Sequence, residues 1–190
     1  MDPAADHQLM QEVREGDIGQ LGTLFERYSG VLFNFFVRMT GNSHVSEDLV
    51  QDVFFRILKY RHTYRDQSRF STWMYQIARN ACMDDRRKKR HEVELIDEEC
   101  CEASSTPLPG EDLERSQEFR LLRSALAQLT ADKREVLVLS RFQNLKYEQI
   151  AEILACDVGA IKVRVYRAMR DLRNAYLGLK GEKASCDARR

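Results

Sequence analysis

The stretch that most constrains the fold is Leu145–Arg173, LKYEQIAEILACDVGAIKVRVYRAMRDLR. Its apolar residues recur at helical spacing, so it reads as two helices joined by a tight turn. Ile150, Ala151 and Leu154 give the first helix an inward face. The turn falls at Ala155-Cys156-Asp157, where Asp157 can cap the next helix. In that second helix Val158, Ile161, Val165, Met169 and Leu172 share one arc and are expected to pack inward. The opposite arc carries Val163, Tyr166, Arg167 and Arg170, flanked by Lys162, Arg164 and Arg173. A helix, a turn and a helix with a cationic outer face is the pattern of a helix-turn-helix, whose second helix fits a DNA major groove. An ordinary helical hairpin would also expose charge. It gains nothing from Val163 and Tyr166 in water, whereas an apolar group there can touch a thymine methyl.

Charge supports two nucleic-acid surfaces. The formal net charge of the 190 residues is zero, but the charges are segregated. Residues 61–90 hold nine Lys and Arg against three acids, residues 92–112 hold eight acids and no base, and residues 141–190 hold eleven bases against six acids. Two basic blocks separated by an acidic spacer fit two contacts with DNA. The hydrophobic content of 43% is enough for real cores. No apolar run reaches the length of a membrane span and no signal-peptide core is present, so a cytoplasmic protein without membrane insertion is expected. The five cysteines are odd in number and irregular in spacing, which argues against a disulfide framework. Cys100-Cys101 with His91 lacks a fourth ligand at sensible spacing for a metal site.

Along the rest of the chain the periodicity is helical throughout. Residues 9–40 predict a short helix, a break at Gly16-Asp17, and a longer helix ending near Gly41-Asn42. Gly19 and Gly22 fall inside that longer helix, where close helix packing is the one reason available for them. Asn42 or Ser43 can cap a third helix running to about Lys59. Its inner face is Leu49, Val50, Val53, Phe54, Ile57 and Leu58, and Asp48, Gln51, Asp52 and Phe55 form an outward stripe suited to protein docking. Residues 60–73, YRHTYRDQSRFSTW, lose the period and interleave aromatic with basic side chains. Tyr64, Phe70 and Trp73 can stack on bases while Arg65 and Arg69 hold backbone, although the same rings suit a plug in a helical core. Ser71 or Thr72 can cap a helix over Trp73–Arg90, with Met74, Ile77, Ala78 and Ala81 inward and Arg79, Asn80, Met83, Arg86, Arg87 and Arg90 outward. Residues 91–112 read as an extended acidic linker. Phe119, Leu122, Leu126 and Leu129, then Val136, Leu137, Leu139 and Phe142, mark two further helices around the helix-turn-helix. After Leu179 a frayed polar tail is expected. The fold class is all-α: two small helical domains on a flexible tether. No carboxylate cluster, Gly-rich phosphate loop or nucleophile–base set is present, so neither an enzyme nor a cofactor is expected.

Three segments in order, DLVQDVFFRILK (Asp48–Lys59), FSTWMYQIARNACMDDRRKKR (Phe70–Arg90) and Leu145–Arg173, closely resemble the bacterial extracytoplasmic-function sigma factors. The resemblance implies a region-two helical bundle over 5–91, an acidic linker over 92–114, a region-four helix-turn-helix domain over 115–178, and a tail over 179–190. It implies an alternative sigma factor that binds core RNA polymerase through the β′ coiled coil and the β flap. Such a factor directs initiation at specific promoter DNA and is held by an anti-sigma factor, often membrane-bound in the family, until a stress signal. On this resemblance Asp48, Gln51, Asp52 and Phe55 dock on polymerase. Arg65, Gln67, Ser68, Phe70, Arg79 and Asn80 recognise and open the −10 element. Lys162, Val163, Tyr166 and Arg167 read the −35 element, with Arg141 and Arg164 on phosphates. Three positions depart from the family pattern: Lys146 replaces a Ser or Thr cap, Ala155 a turn glycine, and Val163 a small polar residue. A stand-alone helix-turn-helix regulator is the alternative, but it leaves the stripe and the aromatic loop unused.

Overall fold

The computed structural model describes residues 3–65, 69–95 and 113–187, with side chains described for 3–65, 69–90 and 117–181. Every element among the described residues is helical. The chain forms two compact units, one built from the helices up to residue 95 and the other from most of the chain beyond residue 113. The acidic stretch with Cys100, Cys101, Pro107 and Pro109 lies outside the described residues.

The first unit holds α1 (Pro3–Glu15), α2 (Gln20–Thr40), α3 (Ser43–Tyr60), a 3₁₀ turn (Arg61–Thr63) and α4 (Phe70–Leu95). Gly16 takes φ +117°, a backbone that L side chains rarely adopt, and this ends α1 where the sequence predicts a break. Gly41, at φ +76°, closes α2 by donating its N–H to the Val37 carbonyl at 2.9 Å. The Asn42 side chain then accepts from the Val45 N–H at 3.2 Å and caps α3. Met10, Val13, Leu24, Leu32, Phe35, Phe36, Val53, Ile57, Met74 and Ala78 form the core. Two expectations change here. Gly19 precedes α2 and Gly22 has open space around its Cα, so neither serves close packing. Helix α4 begins at Phe70, so Ser71 and Thr72 lie in its first turn and do not cap it. It also continues to Leu95, because nothing in His91–Leu95 breaks a helix.

The second unit holds α5 (Leu113–Gln128), α6 (Ala131–Leu137), a π-helical turn (Val138–Phe142), α7 (Tyr147–Leu154) and α8 (Val158–Asp187). Arg134 closes α5 by donating to the carbonyls of Leu126, Ala127 and Leu129 at 2.9, 2.6 and 3.1 Å. Leu121, Ala125, Leu126, Leu129, Val136, Leu137, Ile150, Ile161, Val165 and Ala168 are buried. Ala168, not Met169, occupies the inward position of α8, and Phe119 is partly exposed where burial is expected. Helix α8 runs to Asp187 instead of fraying after Leu179. No proline interrupts it, and Lys180, Glu182, Lys183 and Ala184 favour a helix.

Candidate nucleic-acid interface

The turn between α7 and α8 is made without glycine. Ala155 itself takes φ +50°, a left-handed conformation that costs about 1–2 kcal/mol for an L residue. Lys146 stands where a Ser or Thr would cap α7. Its N–H is instead satisfied by the Gln149 side-chain oxygen at 3.0 Å, half of a capping box. The turn geometry is therefore kept by other means. On α8, Ile161, Val165 and Ala168 face the core, so Lys162, Val163, Arg164, Tyr166 and Arg167 are turned outward. Val163 is 48% exposed and Tyr166 72%, so both apolar surfaces stand in water among cations. Arg141, on the π-helical turn, is exposed as well. Arg170 contacts Asp171 at 3.4 Å, and Asp171 is held below the usual carboxylate pKa range chiefly by its hydrogen bond from Lys133 at 2.6 Å. Arg164 and Arg167 make no ion pair among the described residues.

The same unit carries an open apolar groove of about 420 Å³ between α5 and α8. It is lined by Phe119, Leu122, Met169, Leu172 and Tyr176, with Glu118 and Arg173 at its edge. The helical period assigns Phe119 and Met169 to the core. The groove is what that period leaves uncovered.

In the first unit, Asp48, Gln51, Asp52 and Phe55 share the outer face of α3, opposite Leu49, Val50, Val53 and Ile57. Phe55 is 65% exposed. Asp52 is already engaged: Arg56 reaches its Oδ2 at 2.9 Å and the Asp84 Oδ2 on α4 at 2.7 Å. Burial works against the Arg56 charge, but the hydrogen bonds to Asp52 and Asp84 outweigh it and raise its pKa. Asp84 thereby fixes the rotamer of Arg56 and, through it, that of Asp52, a linkage the sequence did not expose.

The aromatic loop departs most from expectation. Tyr64 and Phe70 are buried, at 2% and 1% exposure, so neither ring is available to stack on a base. Phe70 packs edge-on to Tyr28, with centroids 5.1 Å apart, and Tyr64 lies 5.2 Å from Trp73 and 6.5 Å from Phe70. The rings plug the core, because at the start of α4 the inward face outweighs any gain from exposure. Arg65 and Arg69 are exposed beside them, and Gln67 and Ser68 lie outside the described residues. On α4 Asn80, Met83, Arg87 and Arg90 are exposed. Arg79 and Arg86 are only partly so, and Arg86 donates to the Met39 carbonyl at 3.4 Å. The outward face expected of α4 is thus narrower than its sequence suggests.

The family model for sigma-70 region 2 matches residues 24–92 and that for sigma-70 region 4 matches residues 119–172. The RNA polymerase sigma factor CarQ of Myxococcus xanthus is 32% identical over 164 residues, covering 86% of this chain and 93% of that one. The extracytoplasmic-function sigma factor SigL of Mycobacterium tuberculosis is 31% identical, covering 79% and 85%. The chain belongs to the extracytoplasmic-function RNA polymerase sigma factors. Among solved structures, the sigma factor RpoE of Bartonella quintana, in complex with the anti-sigma factor NepR, matches with a TM-score of 0.71 at 27% identity. The match covers 81% of this chain and 94% of that one. Within this sigma factor, the region 2 match takes in α3 and most of α2 and α4, and the region 4 match takes in α7 and the first half of α8. Helix α1 lies outside both matches.

Proposed function

We propose that this alternative sigma factor docks on core RNA polymerase through Asp48, Gln51, Asp52 and Phe55. It recognises and opens the −10 element with Arg65, Gln67, Ser68, Arg79 and Asn80, and reads the −35 element with Lys162, Val163, Tyr166 and Arg167. Arg141 and Arg164 hold phosphates. Phe70 is withdrawn from the −10 set and kept as the buried root of that loop. The groove of Phe119, Leu122, Met169 and Tyr176 receives an apolar segment of the polymerase β flap. The working boundaries are 5–91 and 115–178 for the two domains, with 92–114 as an acidic tether that lets two modest DNA contacts act together through effective concentration. The Bartonella quintana relative is seen with an anti-sigma factor, and a comparable partner restrains this chain. No helix among the described residues is long and apolar enough to cross a membrane, and we place the chain in the cytoplasm. It acts by specificity and not by catalysis.

The observation carrying this reading is the exposure of Val163 and Tyr166 within the cationic arc of α8, in a region 4 domain. The test is run-off transcription with purified core polymerase on a promoter library. Promoter-specific transcripts that need both core and this chain are the expected result. Specific promoter binding without core would favour the stand-alone regulator instead.

A further inference from the structure

We infer that Asp84, on α4, is a positioning residue for polymerase docking: it shares Arg56 with Asp52, so that the α3 stripe meets a cationic partner with Asp52 held in place and its charge uncancelled. The inference rests on the assignment of Asp48, Gln51, Asp52 and Phe55 to docking. Three observations carry it. First, one guanidinium is held from two helices. Arg56 Nε lies 2.9 Å from Asp52 Oδ2, one turn back on α3, and Arg56 Nη1 donates to Asp84 Oδ2, across on α4, at 2.7 Å. Second, the cation is the most covered of the three. Its side chain is 25% exposed, against 38% for Asp52 and 48% for Asp84. The acids therefore keep the greater contact with solvent, and with anything that docks there. Third, one cation shared by two carboxylates leaves a negative charge uncancelled. Arg87 reaches the second Asp84 oxygen only at 3.9 Å with 77% of its side chain in solvent, a contact that water and salt screen.

Asp84 changes the docking face in two ways. An ion pair one turn apart on a half-exposed helix is weak, so Arg56 alone does not fix the Asp52 rotamer. An anchor on a second helix sets the plane of the guanidinium, and two nitrogens of one rigid fork then orient both carboxylates. Fewer rotamers remain to be lost when the partner arrives. The second effect is electrostatic. Released from Asp84, Arg56 would turn its whole charge to Asp52, and the neutral pair would offer a cationic face little to attract. The three groups are too exposed to contribute much to the stability of the fold, so their arrangement acts on docking. Asp84 belongs functionally with the stripe on α3, although it lies on α4, 28 residues beyond Arg56.

The test titrates labelled core polymerase with the full chain. Asp84→Ala weakens core affinity by about five- to tenfold, and Asp84→Glu, which returns the carboxylate, stays within about twofold of wild type. A merely structural role would not depend on what stands at position 56. In an Arg56→Met background the aliphatic stem remains and no cation is left to share, so there Asp84→Ala changes affinity by less than about twofold. Asp84→Asn covers the case in which Asp84→Ala is poorly folded. It keeps the shape and one acceptor, removes the charge, and shows the same dependence on Arg56 at smaller size. Wild-type affinity for both Asp84→Ala and Asp84→Asn, or an equal loss in both Arg56 backgrounds, would overturn the positioning role. Asp48→Asn with Asp52→Asn, run alongside, reports on the stripe itself. If that variant binds core like wild type, the docking assignment falls. If it loses affinity while the Asp84 variants do not, only the positioning role falls.

Discussion

The exposed cations of the second unit allow a quantitative separation of phosphate contacts from base reading. Arg141 and Arg164 are exposed and assigned to phosphate, whereas Val163 is assigned to a base edge. Each phosphate neutralised by a side chain contributes a slope of about −0.9 in log affinity against log salt. Between about 50 and 200 mM salt, roughly a fourfold range, one such contact is therefore worth a factor of about 3.5, and two are worth about twelve. Arg141→Ala and Arg164→Ala should each flatten the salt dependence by about 0.9, and the double variant by about 1.8, without changing the preferred −35 sequence. Val163→Ser should do the reverse: the slope stays, and the ranking of bases facing it changes by about 1 kcal/mol or more. Arg170, shared with Asp171, should flatten the slope less than Arg164 does. The assay is binding of polymerase-bound chain to −35 duplexes across a salt series, with every single-base variant of the site. If Arg141→Ala and Arg164→Ala both leave the slope at its wild-type value, these side chains do not face phosphate and the assigned orientation of α8 on DNA is wrong.

Other surfaces give independent checks. Asp48→Asn with Asp52→Asn should weaken core binding by about tenfold or more, seen by titrating labelled core polymerase. The accompanying loss of the Arg56 pair should cost stability no more than about 1 kcal/mol, since the pair is partly exposed. Phe70→Ala should lower the stability measured in urea by about 3–5 kcal/mol, as expected for a buried ring; a loss below about 1 kcal/mol would return Phe70 to the DNA face. Ala155→Gly should raise the thermal midpoint of the second unit, by relieving a left-handed alanine worth about 1 kcal/mol, and an unchanged midpoint would refute the strain. Burial, joined for Tyr28 by its hydrogen bond to Asp6, raises the phenol pKa of Tyr28 and Tyr75 above the ordinary value. A raised folded pKa adds stability that is fully present below about pH 10 and is lost as pH climbs beyond it. Urea midpoints should therefore fall from about pH 9 to about pH 11, and Tyr28→Phe should remove part of that fall.

The features legible in the sequence and those hidden from it differ in the range of the forces that decide them. The two faces of α8, the stripe on α3 and the breaks at Gly16 and Gly41 were readable, because each is decided within one or two helical turns. The helical period assigns Met169 to the core because hydropathy ranks methionine high, whereas burial depends on where the neighbouring helix passes. Ala168 lies at that approach, and the methionine opens onto the groove with Phe119. Tyr64 and Phe70 were ambiguous for a different reason. An aromatic beside an arginine reads equally as a base-stacking ring or as a core plug whose neighbours happen to be charged. The decision comes from residues far along the chain, His7 and Arg14 at Tyr64 and Tyr28 at Phe70, and no local pattern carries it. One local sign was present: Asp6 shares a helix face with Met10 and Val13, so an acid sits where the period calls for an apolar residue. A carboxylate in that position is stable only with partners, and the search for those partners leads through Tyr28 to Phe70. The polar exception in an apolar stripe was thus the most informative residue of the first helix, because it marked a contact that packing alone does not require.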